Sequence, residues 1–276
     1  MTYATLMTHL TLGSSNASLL QITRDLAERF NAGVIGIAAC QPIQVIYGDG
    51  FIAGDVVELD RQELEQELKA AEAEFRSALH AHVGHLEWRS TATVGSLSEY
   101  LAREARSADL VISGADLPSS MFDASRHVNM SDFVMQAGRP VLVVPASTGN
   151  VRFARIIVGW KDTREARRAV FDALPFLKQA AQVTVVEIAA EKDLAAAHTY
   201  LEDVVSWLKR HGVAAESLAL PSSGDDATRL NAIAQEQGAD LIVAGAYGHS
   251  RLREWVLGGV TRELLRHADR CAFVSH

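Results

Sequence analysis

Short apolar runs alternate along this chain with longer segments in which apolar residues recur every three or four positions. In the second half, this pattern predicts strands at 155–158, 183–188, 215–220, 240–244 and 271–275, and helices near 164–181, 194–210, 225–237 and 260–267. In the first half, it predicts strands near 5–10, 34–39, 86–91, 110–113 and 141–144. Such alternation predicts an α/β fold, with parallel sheets covered on both faces and joined by right-handed crossovers.

The chain also contains an internal repeat. The segment ADLVISGA at 108–115 matches ADLIVAGA at 239–246 in five of eight positions, at an offset of 131 residues. Near the start of each half the offset is larger, about 150 residues, because Ala4 corresponds to Ala154. An insertion near 41–59, which contains several glycines, accounts for the difference. We therefore expect two domains, at 1–148 and 152–276, which is the usual number for a chain of 276 residues.

Glycines follow the apolar strand that ends the second copy of this repeat. Gly245 and Gly248 come directly after it, and Gly258 and Gly259 follow nine residues later, just before a predicted helix. Glycine lacks a Cβ, so its backbone N–H groups can approach a ligand closely. Because the amino end of a helix presents unpaired N–H donors and a positive dipole end, this pattern predicts a phosphate site. The P-loop pattern G-x-x-x-x-G-K-[ST] does not occur.

Composition narrows the class of protein. The chain is 48% hydrophobic and 22% charged, as expected of a globular protein, and its net charge of −8 argues against a surface that coats nucleic acid. No apolar run reaches the roughly 18 residues of a membrane span, and the amino terminus lacks the basic start of a signal peptide. The two cysteines imply no disulfide framework. We expect a cytoplasmic location.

The pattern G-x2-G-x9-G, followed by a small residue and Val-Thr, resembles the nucleotide-binding signature of the universal stress protein family. This resemblance implies two tandem five-stranded parallel-sheet domains, Rossmann-like and similar to adenine-nucleotide alpha-hydrolases. It also implies that they form an internal pseudo-dimer, with strands 141–144 and 271–275 near the contact. A further homodimer is an open alternative. By the same resemblance the second half binds ATP with Mg, with ADP and AMP as alternatives.

The resemblance also assigns site residues. It places phosphate contacts at Gly245, Gly248, Gly258, Gly259, Val260 and Thr261. Where the chain has Gly259 the family usually has serine or threonine, so one hydroxyl contact is lost. The base and ribose are expected beside Gly159, Trp160, Lys161, Asp162 and Ile188. Trp160 either stacks on adenine or packs in the protein, and Ile188 either lines the base pocket or belongs to the core. Lys161 stands where the family usually has an aspartate near the ribose. His249, Arg251 and Arg253 lie between the glycines, where they either neutralise phosphate charge or are solvated.

The first half differs at the corresponding place. Gly114 is retained, but no later glycine follows before Gly138, and Asp116 would repel phosphate. We therefore expect a degenerate domain that does not bind ATP. The insertion at 41–59 is either a cover for an apolar cavity or a surface loop. The histidines His80, His82 and His85 fit a solvated helix end better than a metal site, since their spacing does not share one helix face.

These features favour a nucleotide-dependent regulatory or stress-response protein with an unidentified protein partner. Catalysis is less well supported, because no catalytic pair is evident. Two alternatives stay open. One is a slow ATPase or autophosphorylating enzyme with Thr261 as the acceptor. The other is a scaffold that binds an apolar ligand or a protein partner through its first half. Fold alone does not decide among them.

Overall fold

Strands and helices alternate along both halves of the chain in the computed structural model, as the hydrophobic pattern predicts. The structure describes residues 2–43, 54–115, 125–146, 148–149, 151–246, 259–266 and 270–276. It divides into two compact units, Tyr3–Arg139 and Pro140–His276.

The first unit is a parallel sheet in the order β3-β2-β1-β4. Its strands are β1 Thr5–His9, β2 Gly33–Cys40, β3 Leu86–Ala92 and β4 Leu110–Gly114. Its helices are α1 Ala17–Phe30, α2 Gly54–Leu79, α3 Leu97–Glu104 and α4 Met130–Ala137, and a 3₁₀ turn covers Ala105–Ser107. The inner strands are buried on both faces, because helices connect parallel strands across the sheet.

The second unit has strand order β5-β10-β9-β6-β7-β8. Strand β5 pairs antiparallel with β10, whereas the other described pairs of this unit are parallel. Its strands are β5 Val141–Val144, β6 Arg155–Gly159, β7 Gln182–Ala189, β8 Ala215–Pro221, β9 Leu241–Gly245 and β10 Cys271–Ser275. Its helices are α5 Arg164–Asp172, α6 Leu174–Leu177, α7 Leu194–Arg210, α8 Asp226–Glu236 and α9 Gly259–Arg266, with a 3₁₀ turn at Glu191–Asp193.

The predicted strands are confirmed to within one residue at each end. One helix prediction was wrong: the segment 164–181 is not continuous, since α5 ends at Asp172 and a separate short helix, α6, follows. Pro175 lies in the first turn of α6, where its missing N–H is tolerated, but the same residue would interrupt a longer helix. Part of the predicted insertion, residues 54–59, forms the beginning of α2; residues 44–53 lie outside the described residues.

The repeated Ala-Asp-Leu has a structural role that is the same in both units. The Asp109 carboxylate accepts hydrogen bonds from the backbone N–H groups that begin β1, those of Ala4 at 2.8 Å and Thr5 at 3.0 Å. The Asp240 carboxylate does the same at the start of β6, accepting from Ala154 at 2.7 Å and Arg155 at 3.2 Å. Each aspartate thus holds the first residues of the neighbouring strand in register. The most similar part of the repeat therefore reflects folding rather than ligand binding.

The three histidines near the end of α2 and the two cysteines lie in environments that are common for these residue types. His80, His82 and His85 are exposed beyond the end of α2, as predicted, and His82 Nδ1 lies 2.7 Å from the Glu28 carboxylate. Cys271 is buried, and burial raises the pKa of its thiol to about 12. Cys40 is likewise free and buried. Among the helices that the structure describes, none is long and apolar enough to cross a membrane.

Candidate functional site

The carboxyl ends of β6, β7 and β9 lie together at one edge of the second unit, because these strands are parallel neighbours. Gly159 lies opposite both Val186 and Ala244, so Gly159, Ala244 and Ile188 share one face of the sheet. Helix α8 covers this face: a Cβ on Gly159 would lie 3.0 Å from Leu230 Cδ2. In α/β sheets this edge, where strand order reverses between β6 and β9, is the usual place for a ligand.

Gly245 ends β9 on the opposite face, where it meets the first turn of α5. A Cβ at this position would lie 2.5 Å from the Ala166 nitrogen and 2.6 Å from the Glu165 carbonyl carbon. These are backbone atoms and cannot rotate away. The glycine spacing predicts that Gly245 contacts a ligand. The structure adds a packing requirement, which would exclude a larger residue even without a ligand.

The segment after β6 is held by polar contacts. The Thr163 side chain caps α5 by accepting a hydrogen bond from the Ala166 N–H. Asp162 forms an ion pair with Arg167 at 2.6 Å. Lys161 Nζ lies 3.5 Å from the Asp226 carboxylate at the start of α8. Since these ion pairs are largely exposed, each contributes little to stability, and the side chains of Lys161 and Asp162 can exchange their partners for a ligand.

Two buried polar atoms at this edge, Trp160 Nε1 and Glu187 Oε2, lack a hydrogen-bond partner among the described residues, as do Arg229 Nε on α8 and His9 Nε2 in the first unit. Trp160 follows β6 directly, and its backbone N–H bonds to Val186 O, so it lies beside Glu187 on β7. Arg229 precedes Leu230 in the first turns of α8. Because an unpaired buried polar group costs about 1–3 kcal/mol, such atoms usually have a partner. Trp160 and Glu187 are therefore candidates for contact with a polar ligand at this edge.

Glu187 is a buried polar residue at this edge that was not predicted from the sequence. Burial raises the pKa of its carboxyl, and the nearby charge of Lys161 lowers it by a smaller amount. The signal was present, since a lone glutamate interrupts the apolar strand Gln182–Ala189. Arg229 carried no such signal, because a charged residue in an amphipathic helix is ordinary. Trp160 was predicted, and the structure buries it to 6% exposure.

The amino-terminal part of α9 carries the other predicted phosphate contacts. Gly259 and Val260 begin this helix, and Thr261 is buried in its first turn. Gly248 and Gly258 lie outside the described residues, as do His249, Arg251 and Arg253. The described part of the predicted site therefore lies at the ends of β6, β7 and β9 and at the start of α9.

The first unit has different side chains at the corresponding edge. His9 ends β1 and lies opposite Ser113 on β4, the register that Gly159 and Ala244 have in the second unit. A hydrogen bond of 3.0 Å joins His9 Nδ1 to Ser113 Oγ. Burial lowers the pKa of His9 to about 4, with a smaller contribution from His127. Where the second unit has two small residues, the first is filled by this polar pair. Asp116 lies outside the described residues.

Solved structures share this fold over the whole chain. A universal stress protein from Archaeoglobus fulgidus DSM 4304 superimposes with a TM-score of 0.73 at 14% identity, covering 98% of this chain and 95% of its own. A protein of unknown function from Pseudomonas aeruginosa PAO1 gives 0.61 at 13% identity, covering 99% and 92%. A universal stress protein in complex with cAMP resembles it more weakly, with a TM-score of 0.35 at 19% identity over 53% of this chain and 100% of its own.

Sequence comparison locates the family more closely. Residues 152–271 match the model of the universal stress protein family. No curated protein sequence matches the chain significantly. The match covers the strands and helices that form the candidate site. Residues 152–271 therefore match the universal stress protein family by sequence, and the whole chain shares the fold of a solved universal stress protein.

Proposed function

We propose that the second half binds ATP with Mg at the carboxyl edge of β6, β7 and β9, and that nucleotide occupancy regulates the protein in a stress response. ADP and AMP are the alternatives that the same phosphate site would accept. The glycine motif and the start of α9 would hold the phosphates, and Trp160, Lys161, Asp162 and Ile188 would surround the base and ribose. The cytoplasmic location and the protein partner expected from the sequence remain predictions.

The observation that supports this proposal most is the pair of buried polar atoms, Trp160 Nε1 and Glu187 Oε2, that have no described partner at the edge where the glycine motif begins. The first is a donor and the second an acceptor, and a nucleotide offers groups of both kinds. The register of the strands adds support, since Gly159 and Ala244 leave little side-chain volume at the strand ends.

The direct test is calorimetric titration of the nucleotide-stripped protein with Mg-ATP, Mg-ADP and AMP. We expect saturation near one ATP per chain. Gly245 is unsuitable for substitution, because any side chain would collide with α5. Gly259→Ser is better, since it restores the hydroxyl that the family usually has. One hydrogen bond to a charged group is worth about 1.5–3 kcal/mol, so this variant should bind ATP roughly ten- to a hundredfold more tightly.

Two matched controls make this titration specific. Gly84→Ser adds the same hydroxyl in the first half, where a Cβ meets nothing within 4 Å, and should leave affinity unchanged. Trp160→Phe removes the indole N–H together with the five-membered ring, and Trp207→Phe on α7 is the control for the same change. If neither the wild type nor Gly259→Ser binds any of the three nucleotides, the proposal is wrong. If Gly259→Ser and Gly84→Ser have equal affinity, the phosphate is not held at the start of α9.

A further inference from the structure

The residue that precedes the undescribed part of the glycine motif is held from two sides. Ala246 is completely buried, and it is the last described residue before 247–258. Its backbone N–H donates to Ser275 O at 2.8 Å. Its carbonyl oxygen lies 3.0 Å from His276 Nδ1. Both backbone hydrogen-bonding groups of Ala246 are therefore engaged by two consecutive residues at the end of β10.

The end of β10 is itself anchored. Ser275 is buried opposite Gly245 in the parallel ladder. Its hydroxyl donates a hydrogen bond of 2.7 Å to the Asp172 carboxylate at the end of α5. The same helix contacts Gly245 through its first turn. Because α5 and β10 both support this point, Ala246 has little freedom to move.

The chemistry of the His276 contact defines what it can do. A carbonyl oxygen only accepts, so the imidazole must carry a proton on Nδ1. The carbonyl of Ala246 belongs to the planar peptide through which the chain leaves β9 toward Gly248. Holding that oxygen therefore restrains the plane of the first peptide after Ala246.

We infer that His276 is a positioning residue for the phosphate site, acting through the Ala246 carbonyl. Its effect on ligand binding rests on the proposed function, whereas its effect on the backbone does not. Removing the imidazole releases the carbonyl and loosens the start of the motif. ATP affinity then falls because the bound conformation is less populated before binding.

The test compares three substitutions in the full-length protein. His276→Ala removes the donor. His276→Asn keeps an amide N–H attached to Cγ, the position that Nδ1 has in histidine, whereas His276→Gln places its donor one bond further away. His80→Ala, at an exposed histidine beyond α2, is the control. We measure native amide hydrogen exchange in the peptide that spans 240–258, without nucleotide, and Mg-ATP affinity by calorimetry.

We expect exchange in that peptide to be about threefold to tenfold faster in His276→Ala, as the loss of one hydrogen bond predicts. Asn should restore the wild-type rate and Gln should not. Affinity for Mg-ATP should change in the same order. If the wild type binds no nucleotide, the exchange rates alone test the positioning role. Equal exchange in wild type and His276→Ala would overturn it, and so would a loss of affinity without faster exchange, which would indicate direct contact with the ligand.

Discussion

The substitution Gly245→Ala tests how much the close packing of β9 against α5 contributes to stability. The new Cβ would lie 2.5, 2.6 and 2.9 Å from three backbone atoms of Glu165 and Ala166. An ordinary carbon contact begins near 3.5 Å, so the first turn of α5 would have to move by about 1 Å. Overpacking of this kind costs roughly 1–3 kcal/mol. Neither this glycine nor its counterpart Gly114 has a positive φ, so the penalty is steric.

Gly114→Ala is the matched control. Gly114 ends β4 at the repeated position of the first unit, where a Cβ would meet nothing within 4 Å. Both substitutions restrict the unfolded chain equally, which stabilises each variant by about 0.4–1 kcal/mol. That contribution cancels in the comparison, so the difference between the two free energies of unfolding should be about 1–3 kcal/mol.

Urea unfolding, followed by far-ultraviolet circular dichroism without nucleotide, measures this difference. With equal slopes, the Gly245→Ala midpoint should fall below that of the wild type, while the Gly114→Ala midpoint should equal or exceed it. Equal midpoints for the two variants would show that α5 can move away from the new Cβ without lowering the free energy of unfolding. The conclusion that packing requires this glycine would then be refuted.

Two further predictions concern the carboxylate that begins β6 and the buried histidine of the first unit. Asp240→Ala should lower the free energy of unfolding by about 1–3 kcal/mol, because two backbone N–H groups lose a charged acceptor. In urea unfolding, Asp240→Asn should lower this free energy by less. Equal decreases for the two variants would contradict the role of the carboxylate. Because the pKa of His9 is about 4 when folded and about 6.5 when unfolded, the unfolded chain binds the proton first, so stability should fall as pH drops from 6.5 toward 4. The loss is at most about 3 kcal/mol, and a His9→Gln variant with the same pH slope as the wild type would contradict this assignment.

The strands could be predicted from the sequence almost residue by residue. Buried parallel strands are short apolar runs, and the helices between them have a different period, so boundaries are sharp. The break between α5 and α6 was not predicted, because Pro175 is apolar and fits the amphipathic pattern of one long helix. The missing N–H of Pro175 is what divides this segment into two helices.

The candidate site was predictable only in part. The glycine motif, Gly245-x2-Gly248-x9-Gly258, can be recognised in the sequence because its spacing is fixed along the chain. The second role of Gly245 depends on where α5 packs, which no local pattern contains. Similarly, the hydrogen bonds of Ala246 come from residues about 30 positions away. Contacts of this kind arise from tertiary structure, so the periodicity of the sequence does not predict them.

Strand β5 lies in the first sequence repeat but in the second compact unit. Separating the chain between the repeats, near residue 150, would therefore deprive β10 of its antiparallel neighbour. The freed edge of β10 would be a row of unpaired peptide groups on a strand whose five residues are buried, which is a template for aggregation. A second half meant to be expressed alone should begin at or before Pro140. A cut between the two sequence repeats would therefore separate β5 from the compact unit to which it belongs.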